Sequence, residues 1–302
     1  MNGVIIVDKP ENFTSFDVVA VMRKLTYQKK IGHAGTLDPN ATGVLPLFLG
    51  SGTKAISFIE NHDKEYIAGF KLGMVTDTLD IWGSVLKCEQ SYITQTAIEN
   101  ELPRFTGNIA QIPPMFSAAK KNGKRLYSLA RQGIEVEREA KTVTIFSLAL
   151  LNFDETAQEG TMKVLCSKGT YIRTLIDDLG AVLKCGACLT SLVRTKACGY
   201  HISEAVSLSE IQQLSRQGKL NEILYPVESI FNNYPSLKLS KKQSIKFKSG
   251  AAQEDSSIVL NNTVEPSACV VKIYDQNNVF IGLGEYKNCF LKALKLFLSK
   301  EE

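Results

Sequence analysis

The amino-acid sequence predicts an α+β fold with a mixed, largely antiparallel central sheet and a small β-barrel near its C-terminal end. Short β-rich runs occur among helical segments in no strict βαβ order, which favours antiparallel pairing. Apolar runs after residue 233 are short and separated by polar or glycine-containing turns, as in a small barrel. The 302 residues, of which 44% are hydrophobic and 22% charged, suffice for one large domain and a small one.

The first elements are predicted from runs of strand-forming residues and from a capping box that indicates the start of a helix. A buried strand is expected over residues 4–8, and Thr14 followed by Asp17 resembles a capping box that opens a helix to about residue 25. A short helix is expected over residues 55–59 and a strand over residues 66–72, with a glycine at its end. Residues 93–105 have the pattern of a helix, which Pro103 interrupts near its end.

Later elements follow the same logic. Strands are predicted over residues 143–146 and 162–165, which are rich in β-forming residues, and a helix over residues 171–183. The polar, turn-rich segment 232–235 is a plausible linker, so we predict a catalytic domain over 1–233 and a small domain over 234–302. The strands of the small domain are expected in the apolar runs 257–260, 268–274 and 279–284.

Charge and composition exclude several classes of protein. The net charge of +4 permits a nucleic-acid partner without arguing for one. No run of 18 apolar residues occurs, and the N-terminus lacks the features of a signal peptide. Seven cysteines, an odd number, indicate reduced thiols and a cytoplasmic protein. Cys185 and Cys188 form a solitary CxxC, for which packing is the expected role and redox or metal chemistry the alternative.

One carboxylate is placed in an unusual loop. Glycines and prolines surround Asp38 within residues 32–46, so the backbone must turn sharply there. Asp38 is therefore expected in a defined, non-helical geometry just before the apolar run 44–49. Loops held by a rigid scaffold are frequent sites of catalytic groups. The simpler alternative is an Asx-turn, in which Asp38 bonds only its own backbone.

The loop sequence Gly32-His33-Ala34-Gly35-Thr36-Leu37-Asp38-Pro39-Asn40-Ala41-Thr42-Gly43 resembles the signature of the TruB family of pseudouridine synthases, the bacterial tRNA pseudouridine-55 synthases. The resemblance extends from about residue 3 to residue 200. It implies a pseudouridine synthase fold with helices flanking the sheet, a C-terminal PUA-like RNA-binding module, and Asp38 as the catalytic nucleophile.

Further segments of this resemblance imply the other site residues. The segment around Lys64-Glu65-Tyr66 is similar to the one that supplies the active-site tyrosine, here Tyr66, and the segment 168–175 to the one that supplies Tyr171 and Arg173. The strand around residue 192 is similar to the one whose leucine lines the uracil pocket. The resemblance also implies substrate-binding roles for these residues: His33, which would fill the gap in the RNA stack, Tyr66, Asp80, Tyr171 and Leu192. Leu79 stands where the family usually has a small polar residue.

The side-chain chemistry agrees with these roles. An arginine presents a fixed fork of donors, so Arg173 is suited to keep the Asp38 carboxylate charged and aimed. Tyr66 offers a flat face for stacking, but a phenol is a poor base unless nearby cations offset its burial. The alternatives are a core tyrosine and a structural ion pair.

A basic stretch is the expected contact with the RNA backbone. Its cations are Lys120, Lys121, Lys124 and Arg125. The resemblance implies that an insertion here, at about 115–140, clamps the T-arm of tRNA; a solvated surface loop is the alternative. A second group of lysines follows residue 237, and two basic patches are suited to an RNA held at separate phosphates.

With this resemblance, the observations imply a cofactor-free isomerase without a metal, which is expected to flip uridine 55 out of the T-arm stem-loop of tRNA and convert it to pseudouridine. We expect a monomer with no obligatory protein partner and no membrane association. The alternatives are a guide-RNA-dependent synthase of the same family, a tRNA-folding chaperone, and a glycosidase that uses Asp77 or Asp80 as a second acid. The sequence leaves open whether Asp38 attacks the ribose C1′ or the uracil C6.

Overall fold

The computed structural model describes residues 1–59, 63–254, 269–287 and 289–297. The α-helices of this part of the chain are α1 (Ser15–Thr26), α2 (Gln95–Glu101), α3 (Leu126–Ala130), α4 (Ile172–Val182), α5 (Leu208–Arg216) and α6 (Lys241–Lys248). Segments of 3₁₀ helix lie at Gly50–Phe58, Leu102–Phe105, Ile202–Glu204, Leu220–Ile223 and Val227–Phe231.

The strands of the described residues are β1 (Gly3–Lys9), β2 (Ile31–His33), β3 (Thr42–Leu49), β4 (Lys64–Leu72), β5 (Met74–Thr76), β6 (Val85–Cys88), β7 (Gly107–Gln111), β8 (Lys120–Lys121), β9 (Lys124–Arg125), β10 (Lys141–Asp154), β11 (Glu159–Cys166), β12 (Ala187–Ala197), β13 (Tyr200–His201), β14 (Val206–Ser207), β15 (Ser236–Lys238), β16 (Gln253–Glu254), β17 (Cys269–Tyr274), β18 (Phe280–Lys287) and β19 (Phe290–Leu296).

The central sheet is mixed and largely antiparallel, as predicted. Among the described residues its strands follow the order β14-β1-β3-β12-β4-β11-β10-β7, with β2 paired to β3 and β13 to β12. Only the pairs β1–β14 and β3–β12 of this sheet are parallel in the described part of the chain. Helix α4 packs its apolar side chains on strands β4, β11 and β12 in one continuous core. The sheet thus holds β3, β4 and β12 side by side, and these strands position the candidate site.

Helix α1 begins where the sequence predicts. The Thr14 side chain accepts a hydrogen bond from the Asp17 backbone N–H at 3.0 Å, and the Asp17 carboxylate accepts one from the Thr14 N–H at 2.9 Å. This capping box satisfies two donors that a helix start leaves unpaired. The buried face of α1 includes Val18, Val19 and Met22, so the helix covers the sheet beside β1.

Two predicted helices differ in the structure. The helix expected over residues 55–59 is part of the 3₁₀ segment Gly50–Phe58, where Gly52 packs so closely that a Cβ would lie 2.9 Å from the carbonyl oxygen of Gly3. The helix expected over residues 93–105 is α-helical only over Gln95–Glu101. Pro103 lies in the first turn of the following 3₁₀ segment, because a proline is tolerated at a helix start but not in its interior.

The C-terminal segment forms the predicted small β-unit, a curled five-stranded half-barrel in the order β15-β17-β18-β19-β16 among the described residues. The expected strand at 257–260 and residue 268 lie outside the described residues. Strand β19 and helix α6, which carries several of the basic side chains after residue 237, were not predicted. Ser240 and Gln243 form a capping box at the start of α6. The sequence therefore contains a helix-start signal among these lysines.

The core does not divide at the predicted linker. One buried cluster joins Val4 and Phe48 of the central sheet to Phe231, Leu283 and Phe297. The half-barrel therefore packs on the large sheet, and the boundary at 233/234 stays a prediction. Within the described residues, no helix has the length and apolar composition needed to cross a membrane.

Candidate active site

Asp38 lies in the loop between β2 and β3, at one end of helix α1. The Leu37 backbone N–H donates to the Ser15 hydroxyl at 2.9 Å, and that hydroxyl donates to the Leu37 carbonyl at 3.3 Å. The Ala41 N–H donates to the Asp38 carbonyl at 3.1 Å. The loop is therefore tied on both sides of Asp38, whose side chain remains 44% exposed. A carboxylate with a fixed backbone and open access is a suitable nucleophile.

Lys9 binds backbone carbonyls beside this loop and helps to hold it. Its side chain is fully buried, and its ammonium donates to the carbonyl oxygens of Pro10 at 2.8 Å, Phe13 at 2.6 Å and Pro39 at 2.8 Å. Burial, with a contribution from the Arg194 charge, lowers the pKa of Lys9 from 10.5 to about 8, although the Asp38 charge opposes the shift. Lys9 thus joins the end of β1 to the residue after Asp38.

The lowered pKa of Lys9 predicts a pH-dependent stability. Between pH 8 and 10.5 the unfolded chain binds the Lys9 proton and the folded chain does not, so this group makes the free energy of unfolding rise with pH by at most about 1.4 kcal/mol per unit. Lys9→Met should abolish that rise. Urea unfolding of both proteins from pH 8 to 9.5, with Lys24→Met as the exposed-lysine control, measures it; equal slopes for wild type and Lys9→Met would contradict the prediction.

Arg173 is the group that holds Asp38. It lies in the first turn of α4 and is 6% exposed, and its Nη2 lies 2.9 Å from Oδ2 of Asp38. The same guanidinium donates to the backbone carbonyls of Thr78 at 2.9 Å and Phe116 at 2.8 Å. Three segments distant in sequence therefore meet at one arginine. A bridge fixed in this way orients the carboxylate and sustains its negative charge.

Asp80 is a second carboxylate of the site. Its Oδ2 lies 3.7 Å from Nη1 of Arg173, and its Oδ1 accepts from the Thr78 hydroxyl at 2.6 Å. Burial raises the pKa of Asp80, an effect that the Thr78 hydroxyl and the Arg173 charge oppose. The Asp38 charge adds to the rise. The two acids thus lie on either side of one cation.

Tyr66 lies in the core of the site on strand β4 and is 6% exposed. In the sheet it is the register partner of Arg194 on β12. Burial raises the pKa of Tyr66 to about 12, although the Arg194 charge and a hydrogen bond from that residue lower it. The cationic help expected from the sequence is present, but it does not offset burial. In the free protein Tyr66 is therefore a neutral phenol.

Arg194 was not among the residues singled out as functional. It is fully buried, and its Nε donates to the Val44 carbonyl at 2.8 Å and its Nη2 to the Gly35 carbonyl at 3.0 Å. Gly43 has a φ of +100°, and a Cβ there would lie 2.3 Å from the Arg194 carbonyl oxygen. Arg194 therefore braces the loop on both sides of Asp38, and the absence of a side chain at Gly43 allows this close approach.

The remaining pocket residues lie around this centre. Leu192 shares a buried core with Tyr66 and with Leu37, the neighbour of Asp38. Tyr171 is half-buried at the N-cap of α4, where the buried side chain of Gln111 accepts from its N–H at 3.0 Å and donates to its carbonyl at 3.3 Å. His33 is half-buried, and burial and the Arg194 charge lower its pKa. The substrate roles of Leu192, Tyr171 and His33 remain predictions.

The basic stretch forms a small hairpin of β8 and β9. Lys120, Lys124 and Arg125 are exposed, and the Nζ of Lys121 donates to the Glu137 carbonyl. The hairpin is followed by α3, where Tyr127 lies between two arginines that approach its ring. Lys120, Lys124 and Arg125 are therefore displayed to solvent, as the predicted RNA clamp requires.

The cysteines do not form a recognisable metal centre in the described part of the chain. Cys185 and Cys188 are free thiols, and burial raises the pKa of both. The described residues contain no group of three or more His, Cys, Asp or Glu side chains suited to hold a metal ion. His62, whose imidazole could add a zinc ligand, lies outside the described residues.

Comparison with protein families matches two models along the chain. A model described as "TruB family pseudouridylate synthase (N terminal domain)" matches residues 23–172. A model described as "tRNA pseudouridylate synthase B C-terminal domain" matches residues 173–232. The first match contains Asp38, Tyr66 and Asp80, and the second begins at Arg173.

Full-length relatives agree with these matches. A protein named tRNA pseudouridine synthase B from Clostridium tetani is 42% identical over 299 residues, covering 99% of this chain and 100% of the relative. One of the same name from Dehalococcoides mccartyi is 40% identical, covering 94% of this chain and 92% of the relative.

Solved structures are similar in fold at lower identity. A chain in an H/ACA RNP bound to a substrate RNA has a TM-score of 0.74 at 21% identity, over 99% of this chain and 86% of that one. A chain of an archaeal box H/ACA Nop10–Cbf5 complex has a TM-score of 0.74 at 22% identity, over 99% and 87%.

Proposed function

This chain belongs to the TruB family of pseudouridylate synthases, and we propose that it converts uridine 55 of tRNA to pseudouridine with Asp38 as the nucleophile. Its relatives of about 40% identity over nearly the full length are named tRNA pseudouridine synthase B. The chain is a tRNA pseudouridine synthase and thus an isomerase. The position in the T-arm, the catalytic roles of individual residues, and action as a monomer without a protein partner are our proposals.

The assignment of Asp38 as the nucleophile rests on its ion pair with Arg173. Asp38 is the exposed partner of that 2.9 Å contact, and Arg173 is held by two backbone carbonyls besides. A carboxylate fixed in this way meets a bound nucleotide without losing its orientation, and such pre-organisation lowers the barrier to attack. An Asx-turn alone would not require a buried guanidinium aimed at the Asp38 side chain.

The reaction defines what these residues must do. The N1–C1′ bond breaks, the uracil turns within the pocket, a C5–C1′ bond forms, and the proton lost from C5 is balanced by one gained at N1. Asp38 attacks the ribose or the base, Arg173 keeps it charged and oriented, and Leu192 and Tyr171 are proposed as walls for the detached uracil. Because the product is an isomer of the substrate, no group is transferred to water.

Tyr66 is proposed as a neutral stacking and hydrogen-bonding group in the free protein. Tyr66→Phe should leave tRNA affinity within a few-fold, since the ring remains, and lower turnover by about 10²-fold or more if its hydroxyl takes part in proton transfer. A pKa of about 12 keeps Tyr66 protonated between pH 7 and 9. If the neutral phenol is the active form, as proposed, kcat/KM of the wild type should not rise tenfold per unit in this range, whereas a mechanism that needs the phenolate would give that rise. Single-turnover rates and binding constants of both proteins measure turnover and affinity. Normal turnover by Tyr66→Phe would show that Tyr66 only stacks on the substrate and that its hydroxyl has no catalytic role.

Charges around the site favour tRNA as the substrate. The Phe116 carbonyl accepts a hydrogen bond from Arg173, and the basic hairpin β8–β9 follows Phe116 closely in the sequence. The proposed phosphate contacts are therefore close in sequence to a residue that contacts the catalytic arginine. The target base must leave its stack to reach Asp38. We propose that these cations clamp the T-arm while His33 occupies the space that the base vacates.

Incubation of the purified chain with an unmodified tRNA transcript, followed by mapping of pseudouridine, tests the proposal. We expect modification at uridine 55 with the protein alone, and none in a transcript that carries cytidine there. A requirement for a guide RNA and partner proteins would favour the guide-dependent alternative. Refolding of tRNA without modification would favour a chaperone, and release of free uracil would favour a glycosidase; either of these results would overturn the proposal.

A further inference from the structure

The hairpin formed by β5 and β6 carries several exposed apolar side chains. Four neighbouring side chains of this hairpin are exposed: Ile81 by 42%, Trp82 by 46%, Val85 by 55% and Leu86 by 67%. Trp82 is the single tryptophan of the chain. Large apolar side chains grouped at a surface commonly mark a site of contact with another molecule.

The turn that carries Trp82 is firmly held. The Thr76 hydroxyl donates to the Asp80 carbonyl at 2.6 Å, and the Ser84 N–H donates to the Asp77 carboxylate at 2.8 Å. The Ile81 N–H donates to the Leu189 carbonyl at 2.8 Å, which ties the turn to strand β12. These hydrogen bonds fix the backbone of the turn, so the exposed Trp82 side chain is attached to a rigid element.

The turn is also part of the candidate active site. Asp80 lies two residues before Trp82 in the same turn, and Asp80 faces Arg173 at 3.7 Å. The same guanidinium bridges to Asp38. Trp82 therefore lies on the same hydrogen-bonded turn as Asp80, whose carboxylate faces the arginine that holds the proposed nucleophile.

We propose that Trp82 is a stacking platform for a base of the substrate RNA that neighbours the flipped uridine. This inference rests on the proposed function. Removing one base from a stack uncovers the faces of its neighbours, and an indole can cover such a face without regard to base identity. RNA is favoured over a protein partner as the occupant because the turn that carries Trp82 also carries Asp80, which faces Arg173 in the candidate site, so a protein seated there would crowd the substrate.

The fluorescence of the single tryptophan provides a direct test. Asp38→Asn protein is titrated with an unmodified T-arm stem-loop and excited at the red edge of the absorption, where the 10 tyrosines contribute little. We expect saturable quenching, with a midpoint equal to the Kd obtained from filter binding of the same RNA. Unchanged emission at saturating RNA would overturn the proposal.

Variants separate stacking from a structural role of the ring. Trp82→Ala should raise the Kd for the stem-loop by about 5- to 100-fold, as expected for loss of one stacked base, and Trp82→Phe should have a smaller effect. Tyr27→Asn is the control, because Tyr27 is 94% exposed beyond the opposite end of α1 from the Asp38 loop, and Asn tolerates its left-handed backbone.

The outcomes distinguish this proposal from the function on which it rests. Trp82→Ala protein that melts like the wild type and binds the stem-loop equally well would contradict the platform. Affinity lost equally in Tyr27→Asn would contradict it too. If the wild type modifies tRNA and these results are negative, only the platform fails; absence of pseudouridine with the wild type would instead overturn the proposed function.

Discussion

Asp38→Asn is expected to abolish pseudouridine formation while leaving the affinity for tRNA within several-fold. The amide has the size of the carboxylate and can still accept a hydrogen bond from Arg173, but it cannot act as the nucleophile. Removing a catalytic nucleophile costs on the order of 10⁴-fold or more in turnover. Affinity should persist because phosphate and stacking contacts dominate it.

Single- and multiple-turnover assays with unmodified tRNA, together with filter binding, measure both quantities. Glu222→Gln is a matched control, since it neutralises an exposed carboxylate outside the candidate site. Multiple turnover by Asp38→Asn in a preparation free of wild-type enzyme would exclude Asp38 as the nucleophile.

Arg173→Met should reduce both activity and stability. The variant removes the partner of Asp38 and leaves the carbonyls of Thr78 and Phe116 without their donor. Unsatisfied buried groups cost about 1–3 kcal/mol each, so we expect the free energy of unfolding to fall by about 2–4 kcal/mol. Turnover should fall roughly 10²- to 10³-fold, because the carboxylate loses its fixed orientation.

Arg173→Lys separates charge from geometry. The ammonium keeps the positive charge but lacks the planar fork that reaches two carbonyls and a carboxylate together. We expect activity between those of the wild type and Arg173→Met, measured well below the melting temperature of each protein. Full activity of Arg173→Met at such a temperature would show that the bridge to Asp38 is structural only.

The loop, the nucleophile candidate and its arginine could be predicted from the sequence because they lie in continuous motifs. Asp38 and Arg173 stand 135 positions apart by their residue numbers, yet each is recognisable from its immediate neighbours. The structure supplies the geometry of the contact that their side-chain chemistry suggests. The roles of Tyr171, Leu192, Asp80 and His33 stay predictions, which the positions of these residues around the bridge make testable.

Lys9 and Gln111 could not be recognised as supports of the site, because their roles depend on burial. A lysine after a short strand is ordinarily solvated, and nothing local shows that three carbonyls will converge on its ammonium. Gln111 is bonded to the backbone of Tyr171, 60 residues later. Local sequence patterns do not report tertiary contacts of this kind.

Release of tritium from tRNA labelled at C5 of uridine tests the central claim most directly, since forming the C5–C1′ bond must expel the hydrogen at C5. With the purified chain alone we predict release of one equivalent per tRNA, no release when cytidine replaces uridine 55, and none with Asp38→Asn. Release from the transcript that lacks uridine 55, or undiminished release with Asp38→Asn, would contradict the assignment of this site to that reaction.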